Sequence, residues 1–149
     1  LKASENMGSI IIPVFLYVLF NIFYATFAIP FGNLSDKIGK KKVILSGYLL
    51  FSLTFLGFAF ASSFPVYLFL FPLYGLCFAL VTSNQTAFVA DIVKENKATS
   101  LGMFHTIIGI IALPASLIAG ILFQLSPSYP FIFSSAVSAL SVLLLMKFK

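Results

Sequence analysis

The sequence predicts an all-α membrane protein, a polytopic bundle of five transmembrane helices. Of its 149 residues, 60% are hydrophobic and only 9% are charged, and its mean hydropathy is +1.09, unlike a water-soluble domain. No charged residue occurs between Glu5 and Asp36 or between Lys42 and Asp91. Each interval exceeds the ~20 apolar residues that one membrane-spanning helix needs. The chain therefore belongs in a lipid bilayer.

The first two spans are predicted over residues 10–31 and 43–61, after a polar segment of residues 1–9. Pro13 is tolerated in the first turn of a helix, and Pro30 lies where the first helix can stop. The last three spans are predicted over residues 66–90, 100–123 and 131–146. The turn Ser62-Ser63-Phe64-Pro65 precedes the third span and has a serine placed to cap it, and Pro72 predicts a kink within that span.

The net charge of +5 does not indicate nucleic-acid binding, because the lysines border apolar segments and form no basic face. Cys77 is the single cysteine and lies inside an apolar segment, so the chain offers no internal disulfide and no cysteine-based metal site. We expect Cys77 to be a small buried side chain. No metal or cofactor is expected.

The densest charge lies between the first two spans, at residues 32–42 (Gly-Asn-Leu-Ser-Asp-Lys-Ile-Gly-Lys-Lys-Lys). Gly32 and Gly39 are expected to permit the positive φ angles of a tight turn, with Asp36 placed to be paired. The pattern G-x-L-x-D-K-x-G-K-K resembles the loop signature of the major facilitator superfamily of secondary transporters.

The resemblance implies that this segment is a gate at the cytoplasmic surface. Its residues would be Gly32, Asp36, Lys37, Gly39, Lys40 and Lys41, together with Lys97. The positive end of the fourth helix and Lys97 would stabilise the charge of Asp36 in one conformation. The family often has arginine where this chain has lysine, and the chain contains no arginine, so only point-charge pairing is available.

A second pattern is similar to the final part of a facilitator's C-terminal half. It runs Ala90-Asp91…Lys97…Leu101-Gly102…Pro114-Ala115-Ser116…Ala119-Gly120. On this resemblance residues 1–149 are a fragment that corresponds to the eighth to twelfth helices, and the missing N-terminal half is a partner. Placement in the N-terminal half is the weaker alternative, because the chain ends in a short basic tail and not in a long linker.

Eight of the nine lysines fall on one side of the predicted membrane, which also holds residues 32–42 and the C-terminus. Cytoplasmic loops carry an excess of basic residues. We therefore expect a multi-pass protein of the plasma or inner membrane with this side in the cytoplasm.

The candidate residues of a substrate cavity lie on the first and third spans. They are Tyr17, Asn21, Tyr24, Tyr74 and Gln85. An amide at the bilayer midplane must face protein or water, so Asn21 either lines the cavity or makes an interhelical hydrogen bond. The resemblance implies that the eighth and tenth helices line the cavity, which favours Asn21 and Tyr74. Tyr67 is expected to be an interfacial anchor.

The fourth span carries a stripe of small residues that predicts close packing on another helix. The packing residues are Gly109, Pro114, Ser116 and Gly120. His105 is either a proton-coupling or gating site or a neutral, hydrogen-bonded side chain near the helix end. The second and fifth spans are apolar on nearly all sides and are expected to face lipid.

The predicted function is secondary transport of a small solute by alternating access. A cavity without charge favours a neutral or weakly polar organic solute, and coupling to H⁺ or Na⁺ stays open beside uniport. Two alternatives are a transport-inactive receptor or scaffold of the same fold and an integral membrane enzyme. The spans hold one His, one Cys and no Asp or Glu, which disfavours the enzyme.

Overall fold

The computed structural model describes residues 11–93 and 95–147, which form five long helices and no strand. The helices are α1 (Ile11–Ile38), α2 (Lys40–Phe60), α3 (Phe64–Ile92), α4 (Lys97–Leu125) and α5 (Tyr129–Lys147). Each is long and apolar enough to cross a membrane. The predicted all-α class is confirmed. The predicted polar segment 1–9, the start of the first span at residue 10, Lys94 and residues 148–149 lie outside the described residues.

Helix α1 is longer than predicted. It passes through Pro30 and ends at Ile38, because proline removes only one backbone N–H donor and the residues beyond it still form helical bonds. The Ser35 hydroxyl donates to the carbonyl oxygen of Gly32 at 2.7 Å. The prediction that the helix stops near Pro30 was wrong.

The turn between α1 and α2 is a single residue. Gly39 has a φ of 96°, a conformation that residues with a side chain rarely adopt. Gly32 is helical, so the positive φ expected there was wrong.

Helix α3 packs closely on both α1 and α2. A Cβ atom at Gly75 would lie 2.5 Å from the carbonyl oxygen of Phe20, and one at Gly47 would lie 2.6 Å from Val81 Cγ2. The helices reach this separation only because the two positions lack a side chain. Cys77 is fully buried on α3, as predicted.

The start of α3 departs from prediction in two details. Ser63 occupies the N-cap position, but its side chain makes no capping hydrogen bond. Tyr67 is 2% exposed, and its hydroxyl donates to the carbonyl oxygen of Ala61 at 3.1 Å. Tyr67 is therefore a core residue and not an interfacial anchor, because its polar end is satisfied inside the bundle.

Helices α2 and α5 face one another through polar side chains and not only through apolar ones. Ser135 Oγ donates to the Ser52 carbonyl oxygen at 2.8 Å, and Ser52 Oγ donates to the Ser135 carbonyl oxygen at 3.0 Å. Ser138 Oγ donates to the Tyr48 carbonyl oxygen at 2.8 Å. We call these four residues the serine seam. We expected α2 and α5 to be apolar on nearly all sides and to face lipid. That expectation was wrong for the surfaces through which the two helices contact each other.

Helix α4 makes only slight contact with α3 and α5. None of its residues is buried. The predicted stripe of small residues is therefore uncovered within the described part of the chain.

Gly75→Ala should lower the free energy of unfolding by about 1–3 kcal/mol, because the new methyl group meets backbone atoms of α1 that cannot move alone. The measurement is unfolding in mixed micelles with increasing SDS, followed by circular dichroism. Gly102→Ala is the control, since a Cβ there meets no atom within 4 Å. Equal loss in the two variants would contradict the close approach.

Ser135→Ala should cost about 1 kcal/mol in the same assay, because it removes a hydrogen bond between two helices. The matched control is Ser141→Ala on the same helix, whose hydroxyl bonds the Val137 carbonyl oxygen within α5 at 2.9 Å. A loss at Ser141 as large as the loss at Ser135 would count against the serine seam.

Candidate functional site

The charged segment 32–42 forms the end of α1 and the start of α2. Lys40 turns toward α3, where its Nζ lies 2.5 Å from Oδ2 of Asp91. This ion pair joins the first residue of α2 to the last turn of α3. The two side chains are 18% and 61% exposed, so water screens part of their attraction.

Asp91 was not among the predicted site residues. The available signal was its position as the first charge after a long apolar interval, but the sequence did not show which lysine it would meet. The structure selects Lys40 because α2 begins directly at the turn and packs along α3.

The predicted contact between Asp36 and the start of α4 is not present. Asp36, Lys37 and Lys97 are all exposed, and none of them forms an ion pair with another described residue. At the start of α4 the N-cap residue Asn96 has a left-handed backbone, and its side chain makes no capping hydrogen bond. The free N–H groups at a helix start attract anions. The gating role of Asp36 stays a prediction.

Three candidate cavity residues meet around Phe20. The ring centroid of Phe20 lies 5.9 Å from that of Tyr17, 6.2 Å from that of Tyr24 and 4.9 Å from that of Tyr74. Asn21 Nδ2 donates to the Tyr17 carbonyl oxygen at 2.8 Å, within the same helix. The interhelical hydrogen bond considered for Asn21 is absent among the described residues. Its role in a cavity stays a prediction.

Gln85 lies apart from these rings and faces α2. Its Nε2 donates to the hydroxyl oxygen of Tyr48, beside a cavity of about 160 Å³ between α2, α3, α4 and α5. Tyr74 also contacts α2, with its ring centroid 5.6 Å from that of Phe55. The face of α3 that carries Tyr74 and Gln85 therefore packs on α2, and Tyr48 is a polar partner that sequence reasoning missed.

The predicted residues of α4 all lie on its exposed surface. They are His105, Gly109, Pro114, Ser116 and Gly120. The Ser116 hydroxyl donates to the Leu113 carbonyl oxygen at 2.8 Å. The His105 ring lies 5.3 Å from that of Phe104 and makes no hydrogen bond with the described residues. The packing and coupling roles of these residues stay predictions.

The described residues contain no group of three or more His, Cys, Asp or Glu side chains that could hold a metal ion. Hydroxyl and amide groups lie at membrane depth, and the charged groups lie at helix ends.

Comparison with known proteins decides the family. Residues 2–149 match the family model described as Major Facilitator Superfamily. The chain belongs to this superfamily. An MFS-type transporter of Methanocaldococcus jannaschii is 50% identical over 147 residues, which are 98% of this chain and 37% of the relative. The quinolone resistance protein NorA of Staphylococcus aureus is 34% identical over 119 residues, which are 77% of this chain and 30% of NorA.

This major facilitator chain thus spans about a third of the length of these relatives. The family match confirms the relationship that the loop signature in residues 32–42 had predicted. Within that signature, Lys40 forms an ion pair with Asp91 on another helix.

Lys40→Gln and Asp91→Asn should each lower the free energy of unfolding by about 0.2–1 kcal/mol, because the ion pair is partly exposed. The double variant should lose less than the sum of the two, because both single variants remove the same interaction. Unfolding in SDS-containing micelles measures all three, and added salt should reduce the coupling. Lys37→Gln combined with Asp91→Asn is the control cycle. Strictly additive effects for Lys40 and Asp91 would contradict the ion pair.

Proposed function

We propose that the chain is part of a secondary transporter that moves a small solute across a membrane by alternating access. The observation that carries the proposal is the 50% identity, over 98% of the chain, with an MFS-type transporter. Five helices suited to crossing a membrane support it. Alternating access requires two helical units that rock about a central site, and one unit alone would supply only half of that site.

In this proposal the chain supplies helices eight to twelve, which are part of the C-terminal half. The uncovered small residues of α4 would then contact the N-terminal half, because small side chains allow close helix packing. The protein would lie in the plasma or inner membrane, with residues 32–42 and the C-terminus in the cytoplasm. The lysines concentrated on that side support this orientation.

The charged segment would act as the cytoplasmic gate. The Lys40–Asp91 pair holds the start of α2 on α3, while Asp36 projects from the end of α1 without a described ionic partner. A carboxylate in this position can bind a helix start in one conformation and lose that contact in the other. Asp36 would then bias the equilibrium between inward-open and outward-open states.

The solute would be a neutral or weakly polar organic compound. Tyr17, Asn21, Tyr24 and Tyr74 offer aromatic and amide groups, and no charged side chain lies near them along the helices. An ion-coupling site for H⁺ or Na⁺ would belong to the other half, unless the protein is a uniporter. Export of a quinolone is a second candidate, favoured by the similarity to NorA.

The test is solute flux into vesicles that contain the purified full-length transporter, with labelled neutral organic solutes and one labelled quinolone. Asp36→Asn should slow flux at least about fivefold through a changed conformational equilibrium, with membrane insertion intact. Glu95→Gln is the matched control, because it removes an exposed carboxylate from the α3–α4 connection. Unchanged flux in Asp36→Asn would contradict the gate.

The same vesicles separate the other functions. A solute that binds but never crosses would favour a receptor or scaffold, and chemical conversion without accumulation would favour an enzyme. The orientation of the protein in the membrane can be measured by labelling the Lys42→Cys variant with a thiol reagent that does not cross membranes. The native Cys77 is buried, so it should not react. Labelling from the outer face would contradict a cytoplasmic gate.

A further inference from the structure

A groove of about 290 Å³ follows the contact between α2 and α5. Its lining residues are Leu49, Ser52, Leu53, Ala139, Val142 and Leu143. They come from these two helices alone, so the groove opens away from α1, α3 and α4. Leu49, Leu53 and Leu143 are 54%, 58% and 61% exposed. At membrane depth the groove therefore opens toward lipid.

The groove is apolar apart from one hydroxyl group, on Ser52. That hydroxyl is used in the serine seam, where it donates to the Ser135 carbonyl oxygen. A polar ligand would find no unpaired partner there. A hydrocarbon chain would give up no hydrogen bond by entering the groove and would gain van der Waals contacts with both helices.

Two lysines lie at one end of this groove. Lys42 is seven residues before Leu49, which places it two turns away on the same side of α2. Lys147 is four residues after Leu143, one turn further along the same side of α5. The serine seam pairs Ser52 with Ser135, and this antiparallel register brings Lys147 level with the first turn of α2.

Among the residues that the structure describes, no acid neutralises the charges of these two lysines. Both side chains are exposed, and neither forms an ion pair with a described residue. The described residues of α2 and α5 include no acidic side chain. Asp91, an acid at the end of α3, is held by Lys40, which lies two positions from Lys42 and so on the opposite side of α2.

We propose that Lys42, Lys147 and the α2–α5 groove bind an anionic phospholipid, with the phosphate between the two lysines and one acyl chain in the groove. Basic pockets between helices at a membrane surface bind anionic headgroups through charge, and each buried methylene adds hydrophobic binding. A soluble phosphate would use the lysines alone. The continuous apolar groove therefore favours a lipid as the ligand.

The test is native mass spectrometry of the full chain after exchange into detergent with equal amounts of dioleoyl phosphatidylglycerol and dioleoyl phosphatidylcholine. The protein should retain phosphatidylglycerol in preference. Lys42→Gln and Lys147→Gln should each reduce its occupancy about fivefold, with retention of phosphatidylcholine unchanged. Ala139→Leu, which fills the groove and keeps both lysines, should reduce occupancy as well.

Lys97→Gln is the matched control, because Lys97 is an exposed lysine on α4, away from the groove. An equal loss in Lys97→Gln would show general surface attraction and would overturn the site. Undiminished occupancy by phosphatidylglycerol in the Lys42→Gln/Lys147→Gln double variant would also overturn the site. Displacement of the lipid by millimolar glycerol 3-phosphate, together with no effect of Ala139→Leu, would show a headgroup-only contact and overturn the role of the groove.

Discussion

The close approach of α3 to its two neighbours is the constraint on which the bundle depends. In a bilayer, lipid tails are as apolar as leucine, so helices associate through packing and polar bonds and not through the hydrophobic effect. Gly75 on α3 supplies the space for the approach of α1, and Gly47 on α2 supplies the space for the approach of α3. Once α1 and α2 are both against α3, the rings of Phe20, Tyr74 and Phe55 come together between them. The glycines therefore determine where the candidate cavity residues lie.

The serine seam determines how α5 packs against α2. Reciprocal bonds between Ser52 and Ser135 hold α5 in one register, and polar groups buried in a bilayer must find such partners. Because α2 packs on α3 with one side and on α5 with another, its exposed Leu49 and Leu53 line the apolar groove between α2 and α5. The same seam thus positions α5 and shapes the groove for which we propose a lipid.

The periodicity of a helix assigns different surroundings to neighbouring lysines in the charged segment. Lys40 and Lys42 are separated by two positions and point to opposite sides of α2. One meets Asp91 on α3, and the other remains exposed toward the lipid side. A segment that reads as one block of positive charge is therefore divided between a contact inside the bundle and a surface that can meet a membrane. The proposed gate and the proposed lipid site would therefore use different lysines of this segment.

The sequence by itself determined the all-α class, five helices, the charged turn and the family resemblance, because long apolar intervals and a dense local motif are properties of the chain alone. Only the tertiary structure decided that α1 continues through Pro30, that Asp91 pairs with Lys40 and that Gln85 faces Tyr48. Helical periodicity grouped Tyr17 and Tyr24 correctly on α1, but it could not show that Tyr74 joins them while Gln85 does not. These outcomes depend on the rotation and register of whole helices, which are set by contacts such as Gly75 with Phe20, between residues far apart in the chain.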